Sequence, residues 1–285
     1  MRRLADAGWR VRALTRRPAD DLPAERVTGD LADEAGLARL CEGAEVLFHV
    51  AGLVKARRAG AFAAVNHAGA LRAAEAARGA GRVVLVSSLT ARAPHLSAYA
   101  ASKHAAETAL AEALGPRLTV VRPPAIYGPG DRELLPVFQA ARTSPFLPLF
   151  DPAARVAMIH VEDAAAQIAA AADVPGGGVW ALSDARPDGY AWRELMTTAA
   201  AAVGRRPRLV RAPAGVVRLL GLWGDLLALG GGNPMLRSGK ARELLHWDWA
   251  ISPQEQAAGL PAARYTLAAG FDHTIAWYRT ARWLK

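Results

Sequence analysis

Short runs of apolar, often β-branched, residues alternate through the first half of the chain with alanine-rich runs whose apolar positions follow helical spacing. Apolar runs predict strands at Trp9–Arg16, Ala44–Gly52, Val83–Ser88 and Leu118–Pro123. Helical spacing predicts helices at residues 31–43, 62–81 and 102–115. Continuous apolar strands alternating with amphipathic helices are typical of a parallel sheet covered on both faces. With right-handed crossovers, the pattern predicts an α/β fold with a doubly wound, Rossmann-type parallel sheet.

The pattern changes after Gly128. Prolines and glycines become frequent up to residue 152, one strand–helix pair returns at residues 156–172, and the remainder is mostly helical and rich in tryptophan. We therefore expect a sheet domain and a smaller, mostly helical lobe. The predicted sheet domain comprises residues 1–128 and 156–185, and the predicted lobe comprises residues 129–155 and 186–285. Large apolar side chains are usually buried, which predicts core positions for five tryptophans: Trp180, Trp192, Trp223, Trp247 and Trp249.

One pair of polar residues stands out in the run SAYAASKHAAE. Tyr99 and Lys103 are four residues apart, so on a helix they share one face. Ser87 and Ser88 end the preceding predicted strand, at the carboxyl edge where open α/β sheets bind ligands. A phenol has an ordinary pKa of ~10, and a nearby ammonium lowers that pKa by stabilising the phenolate. Such a tyrosine can exchange a proton with an alcohol or a carbonyl, which suits hydride transfer at a carbinol carbon.

Several motifs resemble one family. The motifs are VLVSS, YAASK, VRPPAIYGPGD and IHVEDAAAQIAAAA, and they extend over nearly the whole chain. Together they resemble the extended short-chain dehydrogenase/reductase family, also called the NAD-dependent epimerase/dehydratase family. The resemblance implies that the sheet domain binds a nucleotide cofactor and that the lobe binds the substrate.

The resemblance also implies roles for the polar residues. Tyr99 would be the general acid/base, and Lys103 would tune its pKa and bind the cofactor ribose. Ser88 would hydrogen-bond the substrate oxygen, with Thr90 and Ser87 as alternatives. Asn66, in the run VNHAGALRAAEAA, would support the lysine through water, or it is an ordinary helix residue.

The cofactor site implied by the resemblance draws on several short segments. FHVAG resembles the turn near the adenine ribose, and GDLAD resembles the segment whose aspartate touches the adenine amine. Arginines that directly follow the second strand of the family's fold suit the 2′-phosphate of NADP, and NAD remains an alternative. The expected cofactor-binding residues are Arg16, Arg17, Asp30, Leu31, Val50, Ala51, Gly52, Lys103 and Pro123.

The family's first strand and glycine-rich turn have no counterpart in the chain. The family uses that turn to bring its backbone close to the cofactor pyrophosphate. Here RRLADAGWRVRALTRR matches the end of the first helix and the second strand. We expect that Met1 is an internal methionine of a longer protein; the alternative is a truncation that binds cofactor poorly. An upstream in-frame Gly-x-x-Gly-x-x-Gly turn would support the first explanation, and an upstream stop codon would support the second.

Composition and charge exclude several classes of function. The chain has 285 residues and a formal net charge of +9, but its arginines are scattered in small pairs, which argues against nucleic-acid binding. Cys41 is the only cysteine, so no internal disulfide forms, as expected of a reducing cytoplasm. No cluster of residues has metal-ligand spacing.

The most apolar late stretch, Ala214–Gly232, contains Arg218 and Asp225 and is too short to span a bilayer, which needs about 20 apolar residues. It predicts a packed lobe helix, with an apolar pocket wall or a peripheral membrane contact as alternatives. The sequence is compatible with a homodimer.

The segment between the serines and the tyrosine bears on the reaction. SSLTARAPHLSAY is short and lacks the aromatic VYG-like motif of many nucleotide-sugar epimerases. It resembles the reductase-like branches of the family, such as hydroxysteroid dehydrogenases and dihydroflavonol reductases. We therefore expect an NADP-preferring oxidoreductase that interconverts a secondary alcohol and a ketone on a small, moderately apolar molecule. The alternatives are a nucleotide-sugar epimerase or dehydratase, and a non-catalytic binding protein with the same fold.

Overall fold

A computed structural model describes residues 1–17, 22–56, 58–230, 232, 234 and 236–284. The strands are β1 (Arg12–Thr15), β2 (Glu25–Thr28), β3 (Val46–His49), β4 (Arg82–Val86), β5 (Leu118–Arg122), β6 (Ala125–Tyr127), β7 (Phe146–Leu149), β8 (Arg155–Val156), β9 (Met158–His160), β10 (Gly178–Ala181), β11 (Tyr190–Ala191), β12 (Arg208–Arg211) and β13 (Asp248–Trp249). The α-helices are α1 (Arg2–Asp6), α2 (Glu34–Cys41), α3 (Ala59–Phe62), α4 (Gly69–Ala76), α5 (Ala98–Leu114), α6 (Leu135–Thr143), α7 (Val161–Ala170), α8 (Trp192–Ala202), α9 (Ala214–Leu229), α10 (Ser238–Leu245) and α11 (Leu267–Thr280).

The chain divides into two compact units. The first unit comprises Met1–Arg122, Ala165–Trp180 and Ala257–Leu260, and the second comprises Pro123–Ala164, Ala181–Gln256 and Pro261–Lys285. The predicted division of labour, with cofactor in the sheet domain and substrate in the lobe, stays a prediction.

A parallel sheet forms the centre of the first unit. Its strand order is β10-β5-β4-β3, and β4 pairs in parallel with both β3 and β5. The prediction of a Rossmann-type α/β fold is confirmed. Strands β1 and β2 form a separate parallel pair. The apolar-run criterion missed β2 because Val27 is the only buried residue in that strand.

Three helices pack against this sheet through buried apolar side chains. The core between them contains Leu37 of α2, Ala73 of α4 and Leu110 of α5, packed with Val83 and Leu85 of β4. All five are almost fully buried, as expected for a strand covered by helices.

The helix predicted for residues 62–81 is interrupted. A π-helical turn at Ala63–Ala68 separates α3 from α4 and carries Asn66. Insertions of this kind are rare and occur frequently at functional sites. Helical spacing alone does not distinguish such a turn from an ordinary α-helix.

Aromatic side chains form much of the core of the second unit. The rings of Tyr127, Phe138, Phe271 and Tyr278 pack edge to face with centroids 5.1–5.9 Å apart. His160 is fully buried, and its ring stacks on Tyr265 at 3.8 Å. His160 is therefore part of the aromatic packing of the second unit.

The prediction that five tryptophans lie in the core is partly wrong. Trp192 and Trp249 are buried and Trp180 is half-buried, but Trp223 and Trp247 are 58% and 64% exposed. Trp223 is exposed because α9 packs through its small residues and turns its large ones outward. Among the described residues, no helix combines the length and apolar character needed to cross a bilayer.

Candidate active site

Helix α5 presents Tyr99 and Lys103 on one face. The helix begins after Ser97, whose Oγ accepts a hydrogen bond from the Ala100 backbone N–H at 3.0 Å and caps the first turn. Tyr99 lies in this first turn and is half-buried, with its ring edge-on to Phe62 and the centroids 6.0 Å apart. Lys103 follows one turn later and is only 6% exposed. The predicted pair is thus built into one rigid helical segment.

The Lys103 ammonium is anchored to the end of a strand. Its Nζ donates a hydrogen bond to the carbonyl oxygen of Val86, the last residue of β4, at 2.8 Å. Burial lowers the pKa of Lys103 from 10.5 to about 8, and the Glu107 carboxylate partly offsets that effect. Burial and the nearby Lys103 charge lower the pKa of His49 to about 4. At neutral pH the lysine is therefore charged and the histidine beside it is neutral.

A buried ion pair continues the same helical face. Glu107 lies one turn beyond Lys103 and binds the Arg122 guanidinium with both oxygens, at 3.0 Å from Nε and 2.5 Å from Nη2. The two side chains are only 6% and 17% exposed. Arg122 ends β5, so the pair ties α5 to the strand next to β4.

Glu107→Gln is expected to lower the free energy of unfolding by about 3 kcal/mol, because breaking a buried ion pair from one side leaves the other charge buried. For a chain of this size, the melting temperature should fall by roughly 5–10 °C. The matched control is Glu75→Gln, which removes a salt bridge to Arg78 whose side chains are 61% and 73% exposed. That control should change stability by less than about 0.5 kcal/mol. Equal melting temperatures for the two variants would contradict this account of the pair.

Three hydroxyls lie just after β4. The Oγ of Ser88 is 2.9 Å from Thr90 Oγ1 and accepts a hydrogen bond from the Thr90 backbone N–H at 3.3 Å. Both residues are half-buried. Ser87 is buried, and its Oγ has no hydrogen-bond partner among the residues that the structure describes. Ser88, the residue expected to bind the substrate oxygen, is thus hydrogen-bonded to Thr90, one of the two alternatives for that role.

Asn66 joins a loop to helix α5. Its Oδ1 accepts a hydrogen bond from the Leu53 backbone N–H at 2.7 Å, and its Nδ2 donates to the Leu53 carbonyl at 3.0 Å. The same Nδ2 donates to Ser102 Oγ at 3.0 Å, and Ser102 Oγ donates to the Tyr99 carbonyl at 2.7 Å. The amide therefore positions the turn after β3 against the first turns of α5.

A glycine lines the space beside these polar groups. A Cβ added to Gly52 would lie 3.1 Å from Asn66 Oδ1 and 3.3 Å from Lys103 Nζ. The preceding residues Val50 and Ala51 are exposed, so the turn presents open backbone at the carboxyl end of β3. A flat ligand group can approach this backbone closely only because position 52 has no side chain.

Two buried polar atoms without partners lie at the same sheet edge. They are His49 Nε2, at the end of β3, and Ser87 Oγ, just after β4, neither of which has a hydrogen-bond partner within the described part of the chain. Buried polar atoms are usually hydrogen-bonded, so each such exception needs an explanation. Open backbone at Gly52, a buried ammonium and these two orphaned atoms fit a bound nicotinamide dinucleotide.

The other expected cofactor residues occupy the loops after β1 and β2. Arg16 and Arg17 directly follow β1, and both are exposed. Asp30 is exposed and accepts a hydrogen bond from the Ala32 backbone N–H at 2.8 Å, while the Leu31 carbonyl accepts one from Arg72 Nε at 2.6 Å.

Pro123, the remaining expected cofactor residue, is the first residue of the second unit. Its predicted contact with the cofactor stays a prediction.

Three contributing residues were not predicted from the sequence. Ser102 links Asn66 to Tyr99, Glu107 affects the pKa of Lys103, and His49 lies close enough to sense the lysine charge. Glu107 had a signal, because it continues the four-residue spacing of the tyrosine and the lysine. No sequence signal indicated His49, because it lies within an apolar run that predicts a strand.

Comparison with known proteins identifies the family. The profile of the NAD dependent epimerase/dehydratase family matches residues 1–181. A ceramide reductase of Caulobacter vibrioides is 51% identical over 291 residues, which cover 100% of this chain and 91% of that protein.

Solved structures show the same fold. The crystal structure of gox2253 matches with a TM-score of 0.79 and 21% identity, over 100% of this chain and 94% of that one. A UDP-glucose 4-epimerase of Thermus thermophilus, in complex with NAD, matches with a TM-score of 0.69 and 19% identity, over 98% of this chain and 94% of that one. The chain therefore belongs to the NAD-dependent epimerase/dehydratase family of extended short-chain dehydrogenases/reductases, and it is an NAD-dependent oxidoreductase or epimerase of that type.

Proposed function

We propose that this protein is an NADPH-preferring reductase that converts a ketone on a ceramide-class lipid into a secondary alcohol. The observation that carries the substrate class is 51% identity, along the whole chain, to a ceramide reductase. A ceramide carries a secondary alcohol on a long-chain amide, so the substrate of such a reductase is the corresponding ketone. The short segment between Ser87 and Tyr99, without a VYG-like motif, also favours a reductase over a nucleotide-sugar enzyme.

The proposed mechanism assigns one task to each polar group. The Tyr99 hydroxyl donates its proton to the carbonyl oxygen as that oxygen gains negative charge. The Ser88 hydroxyl donates a hydrogen bond to the same oxygen and fixes the carbonyl. The Lys103 ammonium stabilises the phenolate that remains on Tyr99. A nicotinamide cofactor held by Lys103, Asn66 and the Gly52 backbone would supply the hydride to the carbonyl carbon, and the product would be the secondary alcohol.

The surrounding residues hold this arrangement in place. The Val86 carbonyl fixes the lysine, and the Asn66–Ser102 hydrogen bond fixes the first turn of α5. Lys103, Asn66 and the open backbone at Gly52 would hold the nicotinamide end of the cofactor. Arg16, Arg17 and Asp30 would hold its adenosine end.

The proposed preference for NADPH predicts a charge-reversal effect. Arg16→Asp should weaken NADPH binding roughly ten- to a hundredfold, because a hydrogen bond to a charged group contributes about 1.5–3 kcal/mol. NADH affinity should stay the same or improve, because an acidic residue suits a free ribose hydroxyl. Fluorescence titration with each cofactor measures the ratio of NADPH affinity to NADH affinity. Arg206→Asp changes another exposed arginine, in the other unit, and should leave the ratio of NADPH to NADH affinity unchanged. A preference of the unaltered protein for NADH would contradict the role proposed for Arg16.

The reaction itself is tested with two substrates. The protein made from its complete reading frame is mixed with NADPH and a synthetic keto-ceramide in detergent, and nicotinamide absorbance is followed. We expect NADPH oxidation that depends on the lipid and yields ceramide. The same protein with NAD and UDP-glucose should form no epimerised sugar. Epimerisation of the sugar, together with no reaction on the lipid, would reject the proposed function in favour of the epimerase.

A further inference from the structure

Helix α9 is apolar on both its inner and its outer side, with the large residues outside. Its buried positions are Val217, Gly221 and Gly224. Its exposed apolar residues are between 51% and 85% exposed and comprise Val216, Leu219, Leu220, Leu222, Trp223, Leu226, Leu227 and Leu229. At 100° per residue, Leu219, Trp223 and Leu226 lie opposite the buried stripe. This distribution reverses the usual one, in which large apolar side chains face the core.

The glycines hold α9 close to the segment before and within α10. A Cβ at Gly221 would lie 2.9 Å from the Ala241 Cβ, and a Cβ at Gly224 would collide with the Leu236 carbonyl oxygen. An ion pair between Asp225 and Arg237, at 3.0 Å, adds a polar link. The inner face is therefore packed against its own chain, and the eight outer side chains remain more than half exposed. A contiguous exposed apolar patch of this kind marks a surface that binds an apolar partner.

The segment that leads into this helix is rich in arginine. Five arginines lie between residues 205 and 218, with no aspartate or glutamate among them, namely Arg205, Arg206, Arg208, Arg211 and Arg218. All five are exposed. The apolar face of the helix is thus preceded by a segment whose charged residues are all exposed arginines, which attract an anionic partner.

We propose that the outer face of α9 docks onto the surface of a membrane that contains anionic lipids. The helix has 16 residues, a length of about 24 Å, which is shorter than the bilayer core of about 30 Å. It therefore lies in the interface with Leu219, Trp223 and Leu226 among the acyl chains. Exposed leucine and tryptophan together with nearby arginines are typical of helices that lie at a membrane interface.

A second copy of the chain is a poorer partner for this face. Two-fold symmetry brings the same patch of each subunit together, so ten arginines would be gathered around one small interface. The proposal rests on the exposed face and its charge, and it does not depend on the proposed reaction. A lipid substrate would nevertheless be reached most directly by an enzyme held at a membrane.

Vesicle co-sedimentation tests the proposal without any activity measurement. The whole protein is mixed with vesicles of phosphatidylcholine and phosphatidylglycerol, or of phosphatidylcholine alone. We expect binding to the anionic vesicles that is at least about tenfold tighter than to the neutral ones and that weakens with salt. The triple variant Leu219→Ser, Trp223→Ser and Leu226→Ser should bind the anionic vesicles about a hundredfold more weakly, because three large side chains lose their apolar burial.

Matched variants separate docking from misfolding. Trp247→Ser removes a tryptophan that is 64% exposed outside α9, and it should leave vesicle binding unchanged. Arg205→Gln with Arg206→Gln keeps the apolar face and should remove most of the preference for anionic vesicles. The triple variant should keep its melting temperature, since the substituted side chains lie outside the core. The proposal would be overturned if the unaltered protein did not bind vesicles, or if the triple variant bound them as tightly as the unaltered protein. It would also be overturned if sedimentation showed that the unaltered protein is a dimer and the triple variant a monomer, because the face would then be a subunit interface.

Discussion

Replacing Tyr99 by phenylalanine is expected to lower kcat about a thousandfold, because a positioned general acid typically contributes 10²–10⁴-fold. The substitution removes one hydroxyl and keeps the ring that packs edge-on to Phe62. Cofactor affinity should therefore change by less than about twofold. Single-turnover kinetics with NADPH and keto-ceramide, together with a fluorescence titration of NADPH, measure the two quantities separately.

Tyr278→Phe is the matched control for this loss of a hydroxyl. The Tyr278 hydroxyl donates a hydrogen bond to the Asp131 carbonyl at 2.6 Å in the second unit, so its removal should lower stability and leave kcat nearly unchanged. If Tyr99→Phe kept most of the turnover, the tyrosine would have no part in proton transfer, and the mechanism proposed for this site would be wrong.

Lys103→Met is expected to lower kcat at least about a hundredfold and also to weaken cofactor binding, because the lysine is assigned both to the phenolate and to the ribose. Lys240→Met removes an exposed lysine of α10 and should affect neither quantity. A fall in cofactor affinity with unchanged kcat would assign Lys103 to binding alone.

The same substitution should not destabilise the protein. Burial lowers the pKa of Lys103 from 10.5 to about 8. Below pH 8, keeping this lysine charged in the folded protein therefore lowers the free energy of unfolding by about 3 kcal/mol. The substitution also leaves the Val86 carbonyl without its hydrogen-bond donor, which costs about 1 kcal/mol. The free energy of unfolding of Lys103→Met at pH 7 should therefore exceed that of the unaltered protein by about 2 kcal/mol.

The pH dependence of stability identifies the lysine as the cause. The native lysine loses its proton above about pH 8, whereas the unfolded chain keeps it until about 10.5. Because the unfolded state binds more protons in this window, the free energy of unfolding rises with pH there. Lys103→Met lacks this rise. In denaturant unfolding, the expected rise of about 3 kcal/mol exceeds the gap of about 2 kcal/mol at pH 7, so the curves of the two proteins should cross between pH 8 and 10.5. Parallel curves would contradict the burial of a charged lysine.

The sequence predicted the fold wherever burial is continuous. Strands β4 and β5 are almost entirely buried, so their apolar runs were recognisable to within two residues at each end. Strand β2 was missed because a strand with one buried residue has no apolar run. The π-helical turn around Asn66 was missed because it differs from an α-helix in hydrogen bonding and not in apolar spacing.

The site could be predicted only where local spacing defines it. Tyr99 and Lys103 share a helical face by virtue of their positions alone. The hydrogen bond between Asn66 and Ser102 joins residues 36 positions apart, and only the packing of the π-helical turn against α5 brings them together. The exposure of Trp223 could not be predicted either, because the two glycines that pack α9 inward look like helix-weakening residues in a sequence.

Hydride transfer itself provides the most direct test that this protein is a ketone reductase. The protein from the complete reading frame is incubated with keto-ceramide and NADPH that carries deuterium at the reactive carbon of the nicotinamide, and the ceramide product is analysed by mass spectrometry. We predict one deuterium on the carbon that bears the new hydroxyl, and loss of that product with Tyr99→Phe. Ceramide without deuterium, or no ceramide at all, would contradict the account.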